Sequence, residues 1–162
     1  MTVELRPATA ADIAACVDLR GRTRENAVSA QRLAAMGITV ASWSKDVATG
    51  ALAGFVCMDG QTLAGYAFGD RVSGEVVVLA VLPQYEGQGL GRRLLQRIVE
   101  HLSAAGHERL FLGCSTDPRT RSFGFYRRLG WSSTGTIDRF DDEVLEFYPS
   151  IDPGARRTPQ TP

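Results

Sequence analysis

Apolar side chains recur along the chain with two different periods. Leu52 to Met58 and Thr62 to Phe68 are apolar, β-leaning segments, and Asp59-Gly60 between them supplies the positive φ angles of a tight hairpin. After a second turn at Asp70 to Gly74, the run Glu75-Val76-Val77-Val78-Leu79-Ala80-Val81-Leu82 is β-branched without alternation. Such a run marks a strand buried on both faces, and so the central strand. The period then changes. Leu90, Leu94, Ile98 and Leu102 recur every four residues, Leu95 and Val99 reinforce them, and Arg92, Arg93, Gln96, Arg97 and Glu100 fill the other face. This spacing predicts an amphipathic helix closed by Gly106. Arg109 to Cys114 reads as another strand, so strand, helix and strand follow at the separation of a right-handed parallel crossover.

The flanks read more briefly. Val3 to Arg6 is a short strand ended by Pro7, and Thr9 with Asp12 resembles a capping box before a helical stripe of Ile13, Ala14, Val17 and Leu19. Asn26 to Met36 predicts a second short helix, with Ser29 as a cap and Gly37 as its stop. The stretch from Thr39 to Ala51 receives no element. Downstream, Thr120 to Leu129 predicts a helix stopped by Gly130, followed by strands at Trp131 to Ile137 and Val144 to Tyr148. Pro153 to Pro162 has three prolines and no apolar period. The expectation is one domain over residues 1–150 and a disordered tail over 151–162. Its class is α/β, with a mixed, mostly antiparallel sheet, helices on both faces and one parallel βαβ crossover.

Composition narrows the function classes. Among 162 residues, 18 basic side chains balance 18 acidic ones, so no bulk field draws the protein to nucleic acid or an anionic membrane. Cys16, Cys57 and Cys114 are an odd, widely spaced set in apolar-leaning segments, which suits reduced core thiols. No apolar stretch is long enough to span a bilayer, and Met1-Thr2-Val3-Glu4 lacks the build of a signal peptide. A cytoplasmic location is expected, and a homodimer is compatible with all of this. No Cys/His/Asp spacing suggests a metal or a hydrolase triad.

Between the valine-rich strand and the long helix lies Pro83-Gln84-Tyr85-Glu86-Gly87-Gln88-Gly89-Leu90-Gly91-Arg92. Alternating glycines at a strand-to-helix turn expose consecutive amides, and the first helical N–H groups lack internal partners. The helix dipole adds about half a positive charge there, which favours an anion such as a diphosphate. The spacing is neither G-x-G-x-x-G nor a Gly-Lys-Ser/Thr loop, which argues against a dinucleotide or a nucleoside triphosphate. A tight turn that only lets the helix pack on the sheet is the competing reading.

These residues resemble the GCN5-related N-acetyltransferase (GNAT) family. Its hallmark is a strand, a proline-containing turn and Q/R-x-x-G-x-G/A opening a helix; Leu79 to Pro83 and Glu86 to Gly91 stand in those places. A second hallmark, aromatic-Tyr-x-x-x-Gly-aromatic, is matched by Phe125-Tyr126-Arg127-Arg128-Leu129-Gly130-Trp131. Arg24-Glu25-Asn26 and Met36-Gly37-Ile38 resemble a subgroup acting on small or peptide-like substrates. The resemblance implies acetyl-CoA as co-substrate. The backbone of Gly87, Gln88, Gly89, Leu90, Gly91 and Arg92 would hold its diphosphate, and Leu79, Ala80 and Val81 would pair with the pantetheine arm. Two positions depart from the pattern: Glu86 replaces the commoner Gln or Arg and brings a negative charge near the phosphates, and Arg119 stands where an Asn is usual. Arg119 or Arg121 is then a candidate for contact with those phosphates.

The implied activity is N-acetyl transfer to a primary amine of a small molecule or peptide, by direct attack in a ternary complex. A non-catalytic acyl-CoA-binding sensor or scaffold is the alternative. A lysine-like ammonium is neutral at pH 7 in only about one molecule in two thousand, so a positioned base helps. Glu75, six residues before Val81 where several family members carry a glutamate, is the candidate, and alternation places it on the face of Val81 if no bulge intervenes. Asp117 or a water chain is the fallback. Tyr126 would face the leaving thiolate as a hydrogen-bond donor. The acceptor is expected under a roof formed by Asp18 to Ile38 and the loop before Val144.

Overall fold

The computed structural model describes residues 3–25 and 27–149. The expected disordered tail and Asn26 lie outside the described residues. Four strands, β1 (Glu4–Pro7), β2 (Leu52–Asp59), β3 (Thr62–Asp70) and β4 (Val76–Val81), form an antiparallel sheet in the order β1-β2-β3-β4. A second antiparallel sheet has the order β5-β7-β6, from β5 (Leu110–Cys114), β6 (Ser132–Ile137) and β7 (Glu143–Phe147). The helices are α1 (Ile13–Arg20), α2 (Ala30–Ala35), α3 (Val40–Thr49), α4 (Leu90–Ala104) and α5 (Arg121–Arg128).

The two sides of β3 are chemically different, and this decides which helix covers each. A Cβ added at Gly65 would lie 3.3 Å from Leu94, and one at Gly69 would lie 2.9 Å from Ile98 and Leu102, so this face lets α4 approach closely. The opposite face carries Tyr66 and Phe68, both fully buried, and Phe68 meets Trp43 of α3 edge-on at 5.2 Å between ring centroids. α1 lies against that same large-residue face. Helices therefore cover both sides of the sheet, as the sequence predicts.

Three differences from the sequence reading have physical causes. α3 was not anticipated: its apolar stripe is narrow, with Trp43 its one buried residue, although a Thr39–Ser42 capping box and left-handed Gly50 bracket it. α2 starts at Ala30, with the Ser29 side chain accepting the Arg32 amide as expected, four residues later than Asn26. Within β4 only Val76 and Ala80 are buried, while Val77, Val78, Leu79 and Val81 are half-buried, so the strand is not enclosed on both faces as the sequence predicts. The strand enclosed nearly throughout is β3; β4 stands at the margin of its own sheet and in the middle of the seven-strand succession.

Candidate active site

β4 and β5 run parallel through the α4 crossover but touch at one point. Glu75 bridges Phe111, whose amide donates to the Gly74 carbonyl at 3.3 Å, and beyond Glu75 the strands separate. The separation opens a cleft of about 1240 Å³, walled on one side by Val76 to Val81 and on the other by Leu112 to Ser115. Among the described residues no strand pairs with the outer edge of β4 after Glu75. An extended chain is free to lie there.

One end of the cleft is the turn into α4. Gly87 and Gly89 both have φ of +79°, and a Cβ at either would meet no protein atom within 4 Å. The glycines are therefore required by conformation and leave open space above the turn. The first bond of α4 runs from the Arg93 amide to the Gly89 carbonyl at 3.1 Å, so the amides of Leu90, Gly91 and Arg92 precede the helical ladder. Gly87, Gly89, Leu90, Gly91 and Arg92 line the cleft, as do Leu79, Ala80 and Val81; the Gln88 side chain is exposed and does not.

Glu86, whose charge near this turn was the sequence's main departure, is neutralised by two arginines. Its Oε2 accepts Nε of Arg24 at 3.0 Å and Nη1 of Arg121 at 2.6 Å. The neighbouring Glu25 carboxylate accepts the Arg121 amide at 3.2 Å through either oxygen. Arg119 lies elsewhere: it forms an exposed pair with Asp117 at 3.0 Å, and neither residue lines the cleft. Arg119 holds the Asp117 carboxyl below the usual carboxylate range, which makes Asp117 a weaker base as well as a remote one.

Glu75 and Tyr126 both line the cleft. Burial, then the nearby Asp70 and Asp138 charges, push the Glu75 carboxyl up, against a smaller opposing effect of Arg139. The alternation used to place Glu75 on the face of Val81 does not survive, because the pairing of β3 with β4 shifts between Phe68 and Gly69 and leaves Val77 as an extra residue. Glu75 reaches the cleft through this bulge and the parallel bridge. Tyr126, on α5, is 8% exposed and packs edge-on against Phe125 and Trp131 at 5.1 and 6.0 Å. Burial, reinforced by Cys114, raises its hydroxyl pKa, so it stays a donor through the physiological range.

The far end of the cleft is covered by α2 and by the β6–β7 turn, through Leu33, Met36, Ile38, Asp138, Phe140 and Asp142. These are the two segments that the sequence expects to roof the acceptor, and residues of both line the cleft. Trp43 also lines the cleft and was missed together with α3; the Thr39–Ser42 capping box and Gly50 that bracket the helix were the available signal. The three cysteines are free and buried, and Cys114 faces the cleft. Among the described residues no cluster could hold a metal ion, and no helix is long and apolar enough to cross a membrane.

Comparison with known proteins agrees with this geometry. The acetyltransferase (GNAT) family matches residues 17–131. PaiA N-acetyltransferase from Thermoplasma acidophilum, solved in complex with coenzyme A, superposes with a TM-score of 0.76 at 15% identity, covering 92% of this chain and 100% of that one. YncA of Salmonella typhimurium, a putative acetyltransferase solved with its cofactor acetyl-CoA, gives 0.69 at 18% identity, covering 93% and 96%. The ribosomal-protein-S18-alanine N-acetyltransferase of Escherichia coli gives 0.68 at 18% identity, again covering 93% and 96%. No curated protein matches the chain in sequence. At these identities the structural likeness establishes the fold, a mixed α/β architecture shared with these proteins.

Proposed function

Because the chain belongs to the GNAT acetyltransferase family, we propose that it transfers the acetyl group of acetyl-CoA to a primary amine of a small molecule or peptide, by direct attack in a ternary complex. The observation that carries the proposal is a single cleft lined at one end by unladdered amides and, further along, by Glu75 and Tyr126. The residues fit the co-substrate: the Gly87–Arg92 turn suits a diphosphate, and the free edge of β4 suits an extended amide-bearing arm. PaiA and YncA, whose structures hold coenzyme A and acetyl-CoA, support this reading by fold.

In this reading the α4 turn fixes the donor, and the Val81 backbone N–H lies near the thioester carbonyl. Glu75 takes the proton from the ammonium directly or through water. Its upward-shifted carboxyl makes the carboxylate a stronger base than an exposed one. The amine nitrogen then bonds to the acetyl carbon as the carbon–sulfur bond breaks. The Tyr126 hydroxyl donates a hydrogen bond to the departing sulfur; with its pKa raised, donation without full transfer is the role its environment favours. The nitrogen gives up its second, surplus proton as the amide forms, and that proton ends on the departing sulfur, so an N-acetyl amide, a free thiol and the one proton held by Glu75 balance the step.

The test is thiol release from acetyl-CoA against a panel of small amines and peptides, with product mass recorded. Amine-dependent release that falls in Glu75→Gln and Tyr126→Phe is expected. Coenzyme binding with no release for any amine would overturn the enzymatic reading and leave a sensor or scaffold.

A further inference from the structure

Arg24, Glu86 and Arg121 come from three separate segments, the loop after α1, the turn before α4 and the first residue of α5. They meet on one carboxylate oxygen. Glu86 is the enclosed member, its side chain 14% exposed, whereas Arg24 and Arg121 are 59% and 60% exposed. Each arginine commits one nitrogen to Glu86 and keeps its other N–H groups free of that bond. Glu86 directly precedes Gly87, where the open amides begin, and all three residues line the cleft. Two guanidiniums thus converge on one carboxylate oxygen beside a turn built for an anion, while the Glu25 carboxylate is engaged by the Arg121 backbone amide.

We infer that Glu86 is a positioning residue: it holds Arg24 and Arg121 in place as a two-guanidinium clamp for the diphosphate of coenzyme A. The inference rests on the coenzyme reading above and deepens it. A guanidinium on a flexible stem loses rotamer freedom when it binds a phosphate, and a carboxylate that already orders two of them reduces that loss. The clamp also ties the donor end to the acceptor roof, since Arg24 and Glu25 lie on the segment leading into α2.

Electrostatics alone gives the opposite sign, which makes the inference testable. Deleting a negative charge beside a diphosphate site should tighten binding if Glu86 acts only through its charge. If it positions the arginines, Glu86→Ala weakens coenzyme A binding by about three- to tenfold, the worth of two partly exposed ion pairs. Glu86→Gln, which keeps a carbonyl acceptor, loses less. In an Arg24→Ala/Arg121→Ala background, Glu86→Ala produces no weakening. Titration calorimetry with coenzyme A and with dephospho-coenzyme A reads these effects, and thermal melting checks that each variant is folded. Equal losses for both ligands are expected. Loss with coenzyme A alone would overturn the diphosphate assignment in favour of the 3′-phosphate, and a Glu86→Ala protein that binds as tightly as wild type or tighter would overturn the clamp. Wild-type protein that takes up neither ligand would instead refute the coenzyme reading itself.

Discussion

Gly89→Ala separates the turn's conformation from its contacts. Gly89 caps α4 with φ of +79° and ψ of 10°, a left-handed conformation that costs an L-residue about 1–2 kcal/mol. The added methyl meets no protein atom within 4 Å, so the free protein suffers no clash. The loss of chain freedom in the unfolded state returns about 0.4–1 kcal/mol. The ligand-free melting midpoint should therefore fall by only a few degrees, at about 2–4 °C per kcal/mol for a chain of this size. Binding is more exposed to the change. If the turn relaxes to escape the strain, the Leu90 to Arg92 amides re-aim, and the methyl occupies space the diphosphate would share. An affinity loss of about five- to thirtyfold for coenzyme A is expected, equivalent to about 1–2 kcal/mol. Calorimetric titration measures it, and Gly89→Asn, which tolerates the left-handed region, should recover part. Gly60→Ala is the control: its φ is +60° and its surroundings are equally open, but it lies in the β2–β3 turn. It should match the stability change and leave affinity untouched. A Gly89→Ala protein with the expected melting shift and wild-type affinity would refute the turn as the anion site.

Further outcomes follow from the packing and the cleft. Glu75→Gln should lower kcat/KM by about a hundred- to ten-thousandfold and abolish the acidic limb of the pH–rate profile, in which activity rises as Glu75 ionises. Because the folded state raises the Glu75 pKa, that carboxyl stabilises the fold most when protonated and loses this contribution as pH rises through the folded value. The same variant should thus melt no lower than wild type at pH 7, as thermal scans at several pH values would show. Tyr126→Phe should reduce kcat about ten- to hundredfold with little change in coenzyme affinity, measured by stopped thiol-release assays and binding titration. Gly65→Ala should destabilise more than Gly69→Ala under chemical denaturation. The first Cβ would stand 2.9 Å from the backbone oxygen of Ala80, while the second meets only movable side-chain ends.

The local features of this chain were legible because their causes are local. The hairpin around Asp59-Gly60, the α4 stripe, the Ser29 cap and the glycine turn each depend on neighbours in sequence, and the structure contains all four. The chain turns on Gly60 and Gln61, with Asp59 paired to Thr62. Long-range partners were not legible. Nothing near Glu86 announces Arg24 or Arg121, 62 and 35 residues away, so its charge looked like a liability at a phosphate site. Alternation likewise failed for Glu75, since one extra residue opposite the Phe68–Gly69 step reverses the pattern and no composition signal marks it. The β-branched run of β4 predicts double burial because a strand that walls a cleft and one that crosses a core share the same residue types.

Amide hydrogen exchange with and without coenzyme A tests the central claim most directly, because it reports the backbone groups said to hold the donor. Protection gained at Gly87 to Arg92 and along Val77 to Val81, with little change at the β2–β3 turn, is the expected result. Coenzyme binding that leaves both of those segments exchanging as in the free protein would contradict the account.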